Sequence, residues 1–262
     1  MQAITSDFAH KVICDKAKEL GPIFRIRLAH IPAVLVTDPT EVSKITSRGD
    51  GFLDKSKQLY DAFNQLHKPD SQNMFTAATD ETWKALRRAV APCFANNNIK
   101  AAVPVILGAC EAAVKAMKEA GQEAEWNFND VTRRVTLDTI GGWGFGANWK
   151  ISEDLLKSHP IVDHVNKVTV AVHKLYLDPM WPLRALLETS SKVHIQNTRS
   201  FDTLMETFTQ ELKQRHASGE LPEGCIASSL LTCTDPATGK PLDGVHLRSN
   251  VSIFIAAVLS AW

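Results

Sequence analysis

The sequence predicts a mainly α-helical protein with one small two-stranded β segment. Three observations carry that expectation. From Ile99 onward, apolar residues recur at intervals of three and four through one segment after another, the period of an amphipathic helix. Only residues 23–28 and 33–37 read as strands. Glycine and proline fall where the helical patterns end, at Gly21-Pro22, Gly121, Pro179 with Pro182, and Gly219.

Residues 8–20 form a short amphipathic pattern that stops at Gly21-Pro22. Ile23 to Leu28 alternates faces with period two, as a half-buried strand does, and Ala33 to Thr37 is a second, apolar strand beyond a turn at His30 to Pro32. Two strands alone are marginal in water, so this pair needs partners. Asp38-Pro39-Thr40 opens a helix that runs to about Arg48. Gly49 to Thr79 is long and weakly patterned, with one helical turn expected around Leu59 to Leu66; loops of that size are usually functional or disordered. After the helix at Glu81 to Phe94, treated below, Val103, Ile106, Cys110, Ala113 and Met117 mark one stripe, with Asn98 expected as its cap. Asn129 is expected to cap the next helix, whose Val131, Val135, Leu137 and Ile140 spread widely around the axis. Ile161, Val165, Val168, Val172 and Leu175 make a clean stripe after Pro160. Phe201, Leu204, Met205, Phe208 and Leu212 make another, followed by a short helix at Ile226 to Leu231. Asp235 to Gly244 is turn-rich, and Asp243 leads into a last helix with Leu247, Val251, Phe254 and Val258 on one face.

Within Glu81 to Phe94, the apolar Trp83, Leu86, Val90 and Phe94 stand at helical spacing, Asp80 or Thr82 is placed to cap, and Pro92 stops or kinks the helix. Trp83 and Arg87 are four apart and share a face. They offer an indole N–H and a guanidinium fork, donors only, both suited to a carboxylate. Arg88 is turned about 100° away, toward solvent. The plainer reading of this helix is a Trp in the core and an Arg on the surface.

The 262 residues suffice for a real core, and Lys+Arg balances Asp+Glu at 29 each. That balance gives no electrostatic case for nucleic acid or an anionic membrane. Five scattered cysteines without a Cys-x-x-Cys point to reduced, packed thiols. Residues 1–20 lack an apolar signal region, and the longest apolar run, Val251 to Trp262, is too short to span a bilayer, so a cytoplasmic location is expected. Gly142-Trp143-Gly144-Phe145-Gly146 follows a helix, so it reads as a helix end and not a nucleotide loop. No Gly-x-x-x-x-Gly-Lys, His-Glu-x-x-His or Gly-x-Ser-x-Gly occurs. No catalytic residue and no metal ligand is therefore assigned.

The order of segments resembles the N-terminal part of the cytochrome P-450 fold, from helix A to the start of helix I. Gly21 to Leu28 with Ala33 to Pro39 is similar to the family's first strands and the Asp-Pro that opens its B helix. Trp83-x-x-x-Arg87 is similar to its C-helix signature. Thr136 to Ile140 ending at Phe145-Gly146 resembles the E helix, Asp235 to Leu242 the loop before the I helix, and Phe254 to Ala257 the start of that helix. The match covers essentially residues 20 to 257. The resemblance implies haem as cofactor, with Trp83 and Arg87 on a haem propionate. It implies an apolar substrate met by Phe75 in the long segment, Leu177, Phe254 and Ala257, and electrons from a reductase.

The departures are equally specific. No Glu has an Arg three residues on, the Phe-x-x-Gly-x-Arg-x-Cys-x-Gly loop of the axial thiolate is absent, and Cys93 reads as a core thiol. The stretch after Ala257 lacks the family's acid and Thr. The expectation is a single incomplete domain over residues 1–262 that does not turn over substrate, since thiolate ligation is what cleaves O–O. Two rival readings are a helical interaction module without cofactor and a helical carrier of an apolar ligand.

Overall fold

The computed structural model describes residues 9–28, 31–47, 54–57, 73–121, 123–176 and 186–260, with positions 60, 64 and 184. Helix α1 (Ala9–Leu20) leads into strand β1 (Ile23–Leu28), which pairs antiparallel with β2 (Ile31–Val36). The register sets Phe24 opposite Leu35 and Ile26 opposite Ala33. Phe24 is buried and Ile26 half-buried, while Ile23 is 51% exposed, which is the period-two alternation the sequence shows. β2 begins two residues earlier than expected, so Pro32 lies within it opposite Arg27. Among the described residues this sheet has two strands, and it leans on α1.

Helix α2 (Pro39–Thr46) is capped by Asp38, which accepts from the Thr40 and Glu41 amides. Of the turn expected around residues 59–66, Tyr60 and Asn64 are helical and the rest lies outside the described residues. Helix α3 (Glu81–Val90) is capped by Asp80, whose carboxylate accepts from the Trp83 amide at 2.8 Å. The α-helix stops at Val90, just ahead of Pro92 as its sequence predicts, and the chain runs on as a 3-10 turn at Ala91–Phe94. Leu86 and Val90 are buried as their spacing predicts, whereas Phe94 stays 44% exposed.

Helix α4 (Asn96–Ala120) corrects two expectations. Its cap residue is Ala95, and Asn98 sits inside the first turn, donating back to the Pro92 carbonyl. Its buried face is the ridge Ala102, Ala109 and Ala113, while Val103 and Ile106 are 45% and 37% exposed and Cys110 is exposed. Small residues face inward because helix α5 (Phe128–Phe145) lies close: a Cβ on its Gly142 would stand 2.7 Å from a methyl of Val105. Asn127, not Asn129, caps α5, and Gly146 ends it in the left-handed conformation. The glycine run thus ends a helix, as read from sequence. Just beyond, Lys150 is the one non-glycine residue with positive φ among the described residues, at 55°.

Helix α6 (Pro160–Tyr176) buries Ile161, Val165 and Val168; the side chains at 172 and 175 lie outside the described set. Helix α7 (Thr189–Ala217) buries Phe201, Met205, Phe208 and Leu212. Helix α8 (Ile226–Thr232) is capped by the Cys225 sulfur, which accepts from the Ser228 amide. After a turn closed by the Thr234–Pro241 bridge, helix α9 (Gly244–Ser260) runs against α5, α6, α7 and α8. Leu247, Val251 and Ile255 sink it into one core shared with Leu86, Leu137, Phe145, Phe201 and Met205.

Candidate functional site

The last turn of α3, the following 3-10 turn and α9 enclose a cavity of about 270 Å³ lined by Met74, Arg87, Val90, Ala91, Phe94 and Phe254. Helical spacing puts Arg87 and Val90 on adjoining faces of α3, so one supplies a cation at the rim and the other an apolar wall. Arg87 is exposed and has no acid or carbonyl partner among the described residues. Phe94 stacks on Phe254 with centroids 6.3 Å apart and meets Trp143 edge-on at 5.3 Å. Those two contacts fix the aromatic wall from two other helices.

Trp83 stands one turn before Arg87, half-buried, and its Nε1–H donates to the Met74 carbonyl at 2.9 Å. Lys55 donates to the same carbonyl and to that of Ala77, and its Nζ lies 5.2 Å from the Trp83 ring centroid. Burial pushes the Lys55 ammonium below its ordinary value, against the raising pull of the Asp54 and Asp80 charges. Asp54 in turn accepts from the Thr79 amide and hydroxyl. Hydrogen bonds from the Thr79 and Lys55 amides hold its carboxyl below the usual range. The segment 73–79 is thereby pinned against α3 from outside. From inside, the Met74 amide donates to Asn250 of α9 at 2.9 Å.

Of the residues singled out in the sequence, Arg87 and Phe254 line one cavity and Trp83 abuts it through Met74. Phe75 is 50% exposed and meets Tyr60 edge-on at 5.3 Å. Ala257 lies three residues beyond Phe254 on α9 and is exposed. Leu177 falls outside the described residues. Lys55 and Asn250 were not found from sequence. Lys55 sits in the weakly patterned segment, where nothing marks it, and Asn250 is one of several polar residues in the first half of α9, beside His246, Arg248, Ser249 and Ser252, so periodicity does not single it out. The described residues hold no cluster of His, Cys, Asp and Glu able to bind a metal. A larger surface hollow of about 440 Å³, along Lys192, Ile195, Arg199 and Thr203, is a face of α7 alone and gathers none of these groups.

The family profile of cytochrome P450 matches residues 1–258. The chain belongs to the cytochrome P450 family. It is 24% identical over 245 residues to a bifunctional cytochrome P450/NADPH–P450 reductase 2 of Bacillus subtilis, covering 92% of this chain and 22% of that protein. It is 23% identical over 248 residues to the bifunctional cytochrome P450/NADPH–P450 reductase of Bacillus cereus, again over 92% and 22%. Cytochrome P450 3A5 of Homo sapiens is 22% identical over 136 residues, half of this chain. The chain thus spans about a fifth of the length of its bifunctional relatives. The crystal structure of a cytochrome P450, CYP102L1, superposes with a TM-score of 0.73 at 18% identity, covering 96% of this chain and 56% of that one. The P450 fold of this portion, mainly helical with its small antiparallel sheet, is therefore shared, and family membership implies haem as cofactor. The chemistry of the residues present suits that group: a guanidinium with no partner among the described residues, beside an apolar slot, is of the kind that pairs with a carboxylate.

Proposed function

We propose that this P450 chain supplies the haem-edge and substrate-side portion of a monooxygenase domain, with Arg87 gripping a haem propionate. One observation carries the reading: Arg87 has no partner among the described residues yet borders a cavity otherwise walled by Met74, Val90, Ala91, Phe94 and Phe254. Its planar fork presents two parallel N–H donors to a carboxylate. Trp83 stands beside it as the second member of the pair, but its single N–H is donated to the Met74 carbonyl here, so it reaches a propionate only by giving up that bond. Lys55 fastens the same Met74 carbonyl from outside the cavity and so helps hold its wall. When bound, haem supplies the activation of dioxygen and the transfer of one oxygen atom to an apolar organic molecule.

Phe254 already faces the cavity, and with Ala257, Phe75 and Leu177 it is assigned to the apolar substrate. Electrons come from a reductase, a reading supported by the two relatives named for both activities. A cytoplasmic setting goes with it; among the described residues no helix is long and apolar enough to cross a membrane. By itself the chain does not turn over substrate. Cys93 and Cys225 are 2% and 4% exposed, Cys93 lies 3.2 Å from the Ser229 hydroxyl, and no cysteine stands in the thiolate-loop sequence.

Titrating haemin into the purified chain, followed by its Soret absorbance, tests the grip. Arg87→Ala is expected to weaken uptake by about ten- to a hundredfold, the effect of losing a hydrogen bond to a charged group worth roughly 1.5–3 kcal/mol. Unchanged affinity overturns the assignment. Reduction under carbon monoxide is expected to give no thiolate-type Soret band, and its appearance would overturn the inactivity.

A further inference from the structure

Asn250 is fully buried in α9, between Leu247 and Val251. A buried amide is costly unless its groups are matched, and both ends of this one are. Its Nδ2 donates to the His246 carbonyl one turn back at 2.8 Å. Its Oδ1 accepts the Met74 amide at 2.9 Å, across 176 residues of sequence. The rest of the turn is self-contained: Asn73 Oδ1 accepts the Phe75 and Thr76 amides, and the Thr76 hydroxyl accepts the Asn73 amide. The Met74 amide is handed to α9 instead. On its other side the Met74 carbonyl takes the Trp83 indole N–H and the Lys55 ammonium. Met74 is therefore held from three directions, and its side chain lines the cavity beside Arg87 and opposite Phe254, one turn past Asn250.

We infer that Asn250 is a positioning residue: acting through Met74, it fixes the Trp83 indole edge and the Met74 wall of the cavity. α9 thereby sets the cavity from both sides, with Phe254 directly and with Met74 at one remove. The consequence for haem rests on the haem-edge reading; the positioning itself does not.

The experiment compares Asn250→Leu with Asn250→Asp, which keeps an acceptor oxygen for the Met74 amide. Asn250→Ala serves where leucine overpacks. Hydrogen exchange is followed by NMR at the Met74 amide and the Trp83 indole N–H, with Leu137 and Phe145 amides as core controls. Expected is exchange about tenfold faster at both reporters in Asn250→Leu, unchanged controls, and Met74 protection largely restored in Asn250→Asp. Haemin affinity should fall several-fold in Asn250→Leu and recover in Asn250→Asp. Unaltered reporters, a uniform rise that includes the controls, or an aspartate variant as fast as the leucine one would each overturn the inference. If the wild-type chain takes up no haemin, the haem-edge reading fails while the exchange data still decide the role of Asn250.

Discussion

Arg87 is exposed, so its replacement should separate stability from binding. Surface substitutions away from partners change stability by roughly 0.5 kcal/mol at most, and thermal melts of Arg87→Ala should stay within that range even as haemin affinity falls. Asp54 behaves differently. Its folded carboxyl is held below the ordinary value of 3.8, chiefly by the Thr79 amide. A depressed acid contributes stability above its unfolded value and loses it as pH falls through the lower, folded value. The contribution is small because the carboxylate is solvent-facing. Hydrogen exchange across residues 73–79 should therefore quicken below about pH 4 while the core stays protected, and Asp54→Asn should remove that acid step. The thiols divide in the same way. Burial pushes Cys225 and Cys233 up, so they remain protonated at neutral pH. Alkylation of the native chain, mapped by mass spectrometry, should label the exposed Cys14 and Cys110 well before Cys93, Cys225 and Cys233. At this scale, Trp83 and Arg87 were legible because helix period alone puts i and i+4 side by side. Lys55 was not, because it is brought to Trp83 by tertiary contacts that no local pattern encodes.

At the scale of elements, the α4–α5 contact shows where periodicity misleads. Apolar spacing along α4 named Val103, Ile106, Cys110, Ala113 and Met117; Ala113 and Met117 do pack inward, but close approach puts the smaller Ala102 and Ala109 in place of the first three. Hydrophobicity marks an arc wide enough to hold both, and packing distance chooses between them. Gly142 is the matching concession on α5. Alanine there gains about 1 kcal/mol of helix propensity, yet its Cβ would sit 2.7 Å from the stiff Val105 side chain. Overpacking costs roughly 1–3 kcal/mol, so Gly142→Ala is expected to lower stability in denaturant titrations. The same change in a Val105→Ala background should be neutral or stabilising, a coupling that a double-mutant cycle measures. Caps were less legible than cores. Asp38 and Asp80 were readable, but α5 chose Asn127 over Asn129, since a shift of one or two residues leaves the apolar pattern intact.

Across the whole molecule, the order of landmarks in the sequence was enough for the P450 assignment, and the order of elements in space bears it out. What the pattern could not give was exposure. Ile99, Val103, Leu107 and Val114 of α4 are 45%, 45%, 54% and 49% exposed, an apolar stripe along one helix. A hydrophobic dye such as ANS should bind the native chain there. Leu107→Lys with Val103→Lys should reduce its fluorescence without altering far-UV circular dichroism. The Asn250–Met74 bond has a consequence for synthesis. Chains emerge from the ribosome N-terminus first, and contacts between distant residues close late. Arg87 and its helix are made early, yet the ring of groups around them waits for α9. A nascent chain released before residue 250 should carry the early helices and leave the 73–79 turn unfastened.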